Sequence, residues 1–300
     1  MGLSSFSSLE SAIESIFQKE VHIIKESYVG GGDINSASCL SLSNGERLFL
    51  KSNSIANRSF FDTEEEGILA IRSTGVIDTP DLLCKGIDKE RNISFLLMNM
   101  IESAKPVKDY WEIFGSELAK MHLSDTKGFV PDSVYGFKDD NYIGASKQIN
   151  RPKETWIDFF RECRLEPQFK MAERYFDNGF IREAIILMDK LDKILIEPVT
   201  PSLLHGDLWS GNIMTGSKGK AMLIDPAVYV GHAEADLAMT ELFGSLPIAF
   251  YKAYEEINVL QPGYKDRRNL YNLYHLLNHL NLFGSSYLFS VMQTAKRYVR

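Results

Sequence analysis

The residues best suited to chemistry lie in two short segments of the last third of the chain. Residues 205–212 read HGDLWSGN, and residues 224–226 read IDP. Phosphoryl transfer requires one group that orients or deprotonates the attacking hydroxyl, and oxygen ligands that hold Mg²⁺ against the phosphates. Asp207 can serve as the base, and Asn212 and Asp225 can serve as the metal ligands. This set therefore predicts a magnesium-dependent phosphotransferase.

A predicted hairpin explains the spacing of the two metal ligands. Residues 212–214 and 221–224 read as short strands that flank a Gly- and Ser-rich turn. Asn212 opens the first strand and Asp225 ends the second, so both side chains should lie at one edge of the hairpin. Asp, Asn and Gly also occur in ordinary surface turns, but the order and spacing of the whole set favour chemistry.

A second group of candidates lies upstream. Lys51 ends a predicted strand, and Glu64 lies on a helix predicted over residues 60–72. A strand lysine can bind two phosphates of ATP, and a helix carboxylate can hold its flexible side chain in place. Glu65 and Glu66 are alternative partners for this lysine.

Two further segments could bind the nucleotide. Residues 30–33 read GGGD, and the backbone N–H groups of Gly31 and Gly32 could approach phosphate oxygens, although the G-x-G-x-x-G spacing is absent. The backbones of Asn99 and Ile101 could bind the edge of the adenine at the junction between two lobes. Both assignments depend on how the lobes are arranged.

The elements that must position these residues change in type along the chain. The first third predicts strands over residues 21–29, 37–43, 47–52 and 93–98, with one helix and an Asn-Gly hairpin turn. Beyond about residue 101, apolar residues follow the 3.6-residue period of helices. We therefore predict an α+β, bilobal protein. Residues 1–101 form a small β-rich lobe that binds nucleotide, and residues 102–300 form a larger helical lobe with the catalytic and substrate-binding groups.

Composition and patterning indicate which kinds of partner and which cellular compartment to expect. The chain has 300 residues, 44% of them hydrophobic, and a formal net charge of −7, which disfavours a broad nucleic-acid surface. Three widely spaced cysteines form neither a zinc pattern nor a disulfide framework. The first residues lack a secretory signal pattern, and no apolar run approaches the roughly 18 residues of a membrane helix. We expect a cytoplasmic monomer without a nucleic-acid or membrane partner.

At this point the chain resembles a known family. HGDLWSGN with IDP resembles the catalytic loop and metal aspartate of the aminoglycoside phosphotransferase and protein-kinase-like superfamily. More specific segments are similar to the fructosamine kinase, or ketosamine 3-kinase, family: DNYIG (140–144), WIDFFRECRLEPQ (156–168), DLAMTELFG (236–244) and LYHLLNHLNLFGSSY (273–287).

The resemblance implies a protein-kinase-like bilobal fold that uses ATP and Mg²⁺. It also implies phosphorylation of the 3-hydroxyl of ketosamines, carried by small amines or by glycated protein lysines, as a step in deglycation. By position, Asp207 becomes the catalytic aspartate, and Asn212 and Asp225 the metal ligands. Lys51 becomes the phosphate lysine with Glu64 as its partner. Some members carry Cys where this chain has Asp33, so a redox switch at that loop is not expected.

The sequence says less about the substrate wall, by which we mean the residues that border the bound acceptor. We predict that Trp209, Asp139 and Asn141 border it, although Trp209 could instead wedge the catalytic loop. The alternatives are an aminoglycoside- or choline-type phosphotransferase with the same machinery, or a nucleotide-binding pseudokinase. A protein kinase fits worse, because the short stretch between Asp225 and Asp236 leaves little room for an activation segment.

Overall fold

The computed structural model describes residues 2–30, 34–131 and 133–299. Gly31, Gly32 and Asp33, which form the predicted phosphate loop, lie outside the described residues. Within the described part, strands dominate the first third of the chain and helices dominate the rest. The predicted α+β architecture, with a β-rich lobe followed by a helical lobe, is confirmed.

The first lobe is built on a six-stranded sheet with the order β1-β5-β6-β4-β3-β2. All neighbouring strands are antiparallel except the parallel pair β1–β5. The elements are β1 (Ser5–Phe6), α1 (Leu9–Phe17), β2 (Ile23–Tyr28), β3 (Ser36–Leu42), β4 (Arg47–Ser54), α2 (Ser59–Ser73), β5 (Leu82–Asp88) and β6 (Ile93–Asn99).

The β3–β4 hairpin forms where the Asn-Gly pair predicts it. Gly45 has a φ of 87°, a left-handed conformation that glycine adopts without steric cost. Alternate residues of the two strands, including Leu40 and Leu50, point into a core that is closed by Leu9 and Ile13 of α1. The strand alternation thus places Lys51 within β4 on the side of the sheet that faces the second lobe, and the strand continues beyond its predicted end to Ser54.

The prediction of a single helix in the first lobe is wrong, because α1 is a second one. Ser8 caps it by accepting a hydrogen bond from the N–H of Ser11 at 3.1 Å. Its apolar residues recur at helical spacing but cover only nine residues, so the pattern is weak by periodicity alone. Burial of Leu9 and Ile13 against the sheet stabilises this short helix.

An irregular connector over residues 100–109 links the lobes. The N–H groups of Ala104 and Val107 donate to the carbonyls of Gly216 and Gly219, at 3.3 and 3.0 Å. The connector is therefore fastened to the β10–β11 hairpin of the second lobe (Ile213–Thr215 and Ala221–Leu223).

In its described residues, the second lobe is mainly helical and contains three two-stranded sheets. Besides that hairpin, it contains α3 (Tyr110–His122), β7 (Asn141–Ile143), β8 (Ser146–Gln148), α4 (Trp156–Phe159), α5 (Glu166–Ala172), α6 (Asn178–Asp189), α7 (Leu191–Ile194), β9 (Ser202–Leu204), β12 (Tyr229–Gly231), α8 (Glu234–Thr240), α9 (Ile248–Glu255), α10 (Tyr264–Phe283) and α11 (Leu288–Val299). Among the described residues, no helix is both long and apolar enough to span a membrane.

Candidate functional site

The loop that carries Asp207 is pressed against the chain segment that follows Asp225. Gly206 has a φ of 81°, and a Cβ built there would lie 2.0 Å from the carbonyl oxygen of Ala227. Only glycine fits this approach. The N–H of Ala227 donates to the carbonyl of His205 at 2.8 Å, and Nε2 of His205 lies 2.9 Å from the carbonyl oxygen of Ile224. These bonds fix the catalytic loop to the segment around Asp225.

Asp207 is half-buried and is oriented by Asn212. Nδ2 of Asn212 donates to the backbone carbonyl of Asp207 at 2.8 Å and to its Oδ2 at 3.1 Å. The pKa of Asp207 is raised to about 7, chiefly by burial; the Asn212 bond opposes the rise, and the carboxylates of Asp225 and Asp236 contribute to it. A carboxylate with a pKa near neutrality is suited to accept a proton from a hydroxyl.

The β10–β11 hairpin brings Asn212 and Asp225 together as the sequence predicts. Asn212 immediately precedes β10, and its carbonyl accepts a 3.1 Å bond from the N–H of Ile224. Asp225 follows with a φ of 54°, a left-handed conformation that Asp tolerates better than most residues. Its side chain remains 49% exposed. An amide oxygen and an exposed carboxylate therefore share one edge.

Lys51 joins this edge from the first lobe. Its Nζ lies 2.5 Å from Oε1 of Glu64 and also contacts the carboxylate of Asp225. Burial alone would lower the pKa of Lys51, but the charges of Asp225 and Glu64 outweigh it and raise the pKa, so the lysine stays charged. Two carboxylates share one ammonium, and this excess of negative charge is compatible with a divalent cation.

Glu64 responds differently to the same surroundings. Burial raises its pKa, and Asp225 adds to the rise, while Lys51 lowers it only in part. The pKa of Lys51 is raised because its ammonium is attracted to the two carboxylates, whereas the pKa of Glu64 is raised because its carboxylate is removed from water. Both are consistent with a site that holds more acidic than basic groups.

The three consecutive glutamates of α2 have three different partners. Glu64 contacts Lys51, Glu65 lies 2.8 Å from Nζ of Lys85, and Glu66 lies 2.9 Å from Nζ of Lys138. Successive residues of a helix point about 100° apart, so they reach different neighbours. Of these three glutamates, Glu64 is the one that contacts Lys51.

The predicted adenine-binding backbone lies just past β6. The N–H of Asn99 donates to the carbonyl of Asp81 at 2.9 Å. An adenine edge would therefore have to use the carbonyl of Asn99 and the N–H of Ile101. These two contacts stay a prediction.

Trp209 lies two residues beyond Asp207 with 39% of its surface exposed. A Cβ on Gly211 would lie 2.3 Å from the indole, so the ring covers this glycine closely. The indole meets Phe243 edge-on at 6.4 Å between centroids, and Phe243 stacks on His279 at 4.8 Å. An aromatic surface thus borders the catalytic loop. The sequence analysis included Phe243 only as part of a family-like segment.

Asp139 and Asn141 are placed in different environments. Asp139 is exposed, and its carboxylate remains a candidate substrate contact. Asn141 is 5% exposed, and its Nδ2 donates to the carbonyl of Val228 at 2.8 Å. Its Oδ1 accepts bonds from Gln148 at 2.7 Å and from Asn150 at 2.9 Å. The amide of Asn141 is therefore engaged inside the protein, and we leave it out of the substrate surface.

Asp236, which the sequence analysis did not single out as a site residue, holds the backbone of the catalytic loop. Its carboxylate is buried and accepts bonds from the N–H groups of His205 and Gly206, at 2.7 and 2.9 Å. Nε2 of His122 lies 3.2 Å from the same carboxylate. Burial would raise the pKa of Asp236, but His122 and the backbone bonds lower it below its usual value. Asp236 is therefore an ionised acceptor that positions the loop.

Replacing Asp236 by Asn should destabilise the loop and the lobe together. The amide can accept one backbone N–H, but its NH₂ would face another donor, so we expect a loss of about 3 kcal/mol of unfolding free energy. The midpoint temperature of thermal unfolding and the kcat should both be lower than in the wild type. The control is Asp192→Asn at an exposed position of α7. Wild-type stability and kcat in Asp236→Asn would contradict the positioning role.

Known proteins resemble this chain along almost its whole length. A family model described as Fructosamine kinase matches residues 5–300. A probable ketoamine kinase of Synechocystis sp. is 38% identical over 273 residues, covering 91% of this chain and 89% of its own. A chloroplastic protein-ribulosamine 3-kinase of Oryza sativa subsp. indica is 38% identical over 284 residues, covering 94% and 81%.

Solved structures extend the likeness to the fold. Two proteins provisionally assigned as fructosamine-3-kinases have similar structures. The protein of Haemophilus somnus has a TM-score of 0.86 and 27% sequence identity, and the match covers 98% of this chain and 97% of that chain. The protein of Thermobifida fusca has a TM-score of 0.82 and 30% sequence identity, and the match covers 98% of this chain and 99% of that chain. A choline kinase of Streptococcus pneumoniae, at a TM-score of 0.59 and 12% identity over 97% of both chains, shares the fold alone. The predicted kinase-like fold is confirmed.

Proposed function

Because this chain belongs to the fructosamine kinase family, we propose that it transfers the γ-phosphoryl group of ATP to the 3-hydroxyl of a ketosamine. The observation that carries this proposal is the meeting of five polar side chains from both lobes. These are Lys51, Glu64, Asp207, Asn212 and Asp225. A binding module without chemistry has no need for Asp207, which disfavours the pseudokinase alternative.

The nucleotide would be held by groups from both lobes. Lys51 would contact its phosphates, and Glu64 would keep the lysine side chain extended toward them. Asn212 and Asp225 offer the amide and carboxylate oxygens that suit Mg²⁺, and the excess of acidic groups around Lys51 fits a divalent cation. Bound Mg²⁺ would neutralise charge on the phosphate oxygens.

Asp207 would act on the acceptor. Its carboxylate would accept a hydrogen bond from the 3-hydroxyl and take its proton as the oxygen attacks the γ-phosphorus, while the bond from the γ-phosphorus to the bridging oxygen breaks and ADP leaves. The bond from Asn212 keeps the carboxylate in one orientation, and Asp236 fixes the backbone beneath it. Asp207 is therefore placed by two independent sets of contacts.

The acceptor would lie beside Asp207, between the aromatic surface at Trp209 and the carboxylate of Asp139. An exposed indole suits the apolar side of a sugar or its amine, and a carboxylate suits hydroxyls. Small ketosamines and glycated lysines both carry this chemistry. An aminoglycoside or choline acceptor would use the same Asp207 and differ only at these walls.

A comparison of acceptors tests the proposal. ATP consumption should be measured with ribulosyl-, erythrulosyl- and fructosyl-lysine, and with a kanamycin-type aminoglycoside and choline. We expect a kcat/KM at least about a hundredfold higher for a ketosamine, because buried polar groups left unpaired by the wrong acceptor are costly. A preference for the aminoglycoside or for choline would reject the ketosamine assignment.

Trp209→Ala tests the substrate wall separately. Loss of the exposed aromatic face should raise the KM for ketosamine by about tenfold and leave the KM for ATP unchanged. Phe289→Ala is the control, because Phe289 is an exposed aromatic residue of α11, 74% accessible. An unchanged ketosamine KM in Trp209→Ala would show that the indole only supports the loop over Gly211.

A further inference from the structure

Residues 138–150, which we call the bridging segment, connect the second lobe to helix α2 of the first. The hydroxyl of Tyr142 lies 2.9 Å from Oγ of Ser59, and its ring packs on Phe60 with centroids 4.0 Å apart. Nζ of Lys138 lies 2.9 Å from Oε1 of Glu66. These contacts fall on both sides of Glu64 along the helix.

The other face of the bridging segment is fastened to residues 227–228, which lie between Asp225 and β12. Nδ2 of Asn141 donates to the carbonyl of Val228 at 2.8 Å, and Nε2 of Gln148 donates to the carbonyl of Ala227 at 2.9 Å. The hydroxyl of Tyr274 donates to Oε1 of Gln148 at 2.7 Å. All of these side chains are buried, so the bonds are shielded from competing water.

A buried arginine fixes the end of the segment. Arg164 lies on a π-helical turn (Phe160–Leu165) and is fully buried. Its guanidinium donates to the carbonyl of Ile149 at 2.6 Å and to Oδ1 of Asn150 at 2.8 Å, and it lies 3.8 Å above the ring of Tyr229. The segment therefore cannot shift without breaking buried, charge-assisted bonds.

Helix α2 also touches the second lobe directly. A Cβ on Gly67 would lie 3.1 Å from Cγ of Pro226 and 3.4 Å from a methyl of Val228. Pro226 is the neighbour of Asp225. The helix is thus docked at two places, at its start through Tyr142 and at its middle through Gly67.

We propose that the bridging segment is a positioning element that holds α2 against the second lobe, with Tyr142 as its principal contact. Lys51 has two carboxylate partners, Glu64 on α2 and Asp225, which closely precedes the residues 227–228 that anchor the segment. Because the bridging segment contacts both α2 and residues 227–228, it fixes the position of Glu64 relative to Asp225. The Lys51–Glu64 pair is then assembled in the resting protein without a separate activation segment. The inference rests on the proposed function only for the role that it gives Lys51.

Hydrogen exchange of α2 tests this inference without any acceptor. In Tyr142→Ala, we expect backbone amides of Ser59–Ser73 to exchange about fivefold faster and the dissociation constant for Mg²⁺–AMP-PNP to rise about fivefold, the ratio expected when a hydrogen bond and an aromatic contact are lost together. Tyr142→Phe, which keeps the ring, should show a smaller change of the same sign. Amides of α6 should be unaffected.

Two further variants guard against a general loss of stability. Lys138→Ala removes only a surface ion pair and should change α2 exchange by about twofold or less, in the same direction. Tyr175→Ala, at a half-buried tyrosine after α5, should leave α2 exchange unchanged.

Unchanged exchange of α2 in Tyr142→Ala would overturn the inference. A raised KM for ketosamine with unchanged α2 exchange would also overturn it, because the segment would then act as a substrate wall. Failure of the ketosamine assignment would leave the exchange result intact, so the two outcomes can be told apart.

Discussion

Replacing Asp207 by Asn should lower kcat by about a thousandfold while ATP still binds, because an amide cannot accept the proton of the attacking hydroxyl. The fold should survive, since the amide oxygen of the new side chain can still accept the bond that Nδ2 of Asn212 now donates to Oδ2. Steady-state rates with a ketosamine, together with the dissociation constant for Mg²⁺–AMP-PNP, measure the two effects separately.

The control for this variant is Asp189→Asn, at an exposed position near the end of α6. It makes the same chemical change away from the site and should leave kcat unchanged. If Asp207→Asn turned over at a rate within a few fold of wild type, Asp207 would lose its role as base.

Replacing Asp225 by Asn should remove most Mg²⁺-dependent activity. Asn tolerates the left-handed φ of 54° at this position, so the change removes charge without adding backbone strain. Loss of a charged oxygen ligand from a hard cation should lower kcat/KM by about a hundredfold or more and raise the Mg²⁺ concentration needed for half-maximal rate. The measurement is the initial rate as a function of Mg²⁺ at fixed ATP.

Asn212→Ala provides the comparison for this variant. A neutral carbonyl contributes less charge to a metal site, so the loss through the metal should be milder than in Asp225→Asn. An Asp225→Asn protein with the wild-type Mg²⁺ requirement would place the metal elsewhere.

The parts of the site that the sequence predicted are local in the chain. The turn residues between β10 and β11 specify a hairpin, and a hairpin brings Asn212 and Asp225 to one edge whatever surrounds it. Helical periodicity likewise placed the glutamates on α2. The sequence favoured Glu64 and left Glu65 and Glu66 as alternatives, because the partners of these two depend on where Lys85 and Lys138 lie in the folded protein.

The parts that the sequence did not predict depend on contacts between distant segments. Asp236 lies on α8 and accepts hydrogen bonds from the backbone of His205 and Gly206, which are distant in the sequence. Nothing in the local sequence around Asp236 distinguishes a buried hydrogen-bond acceptor from a solvent-exposed acid. Asn141 shows the reverse case. It lies in a polar loop that suggested contact with a sugar, yet its amide is bonded to Val228 and Gln148 inside the lobe. Polar residue type alone does not determine burial.

The most direct test of the account is the position of the phosphate on the product. Ribulosyl-lysine should be incubated with ATP, Mg²⁺ and the protein, and the product examined by phosphorus-coupled proton NMR. The account predicts a single phosphate coupled to the proton at carbon 3, formed by the wild-type protein and not, on the same time scale, by Asp207→Asn. Phosphate on another hydroxyl, or ATP consumed without a phosphorylated sugar, would contradict it.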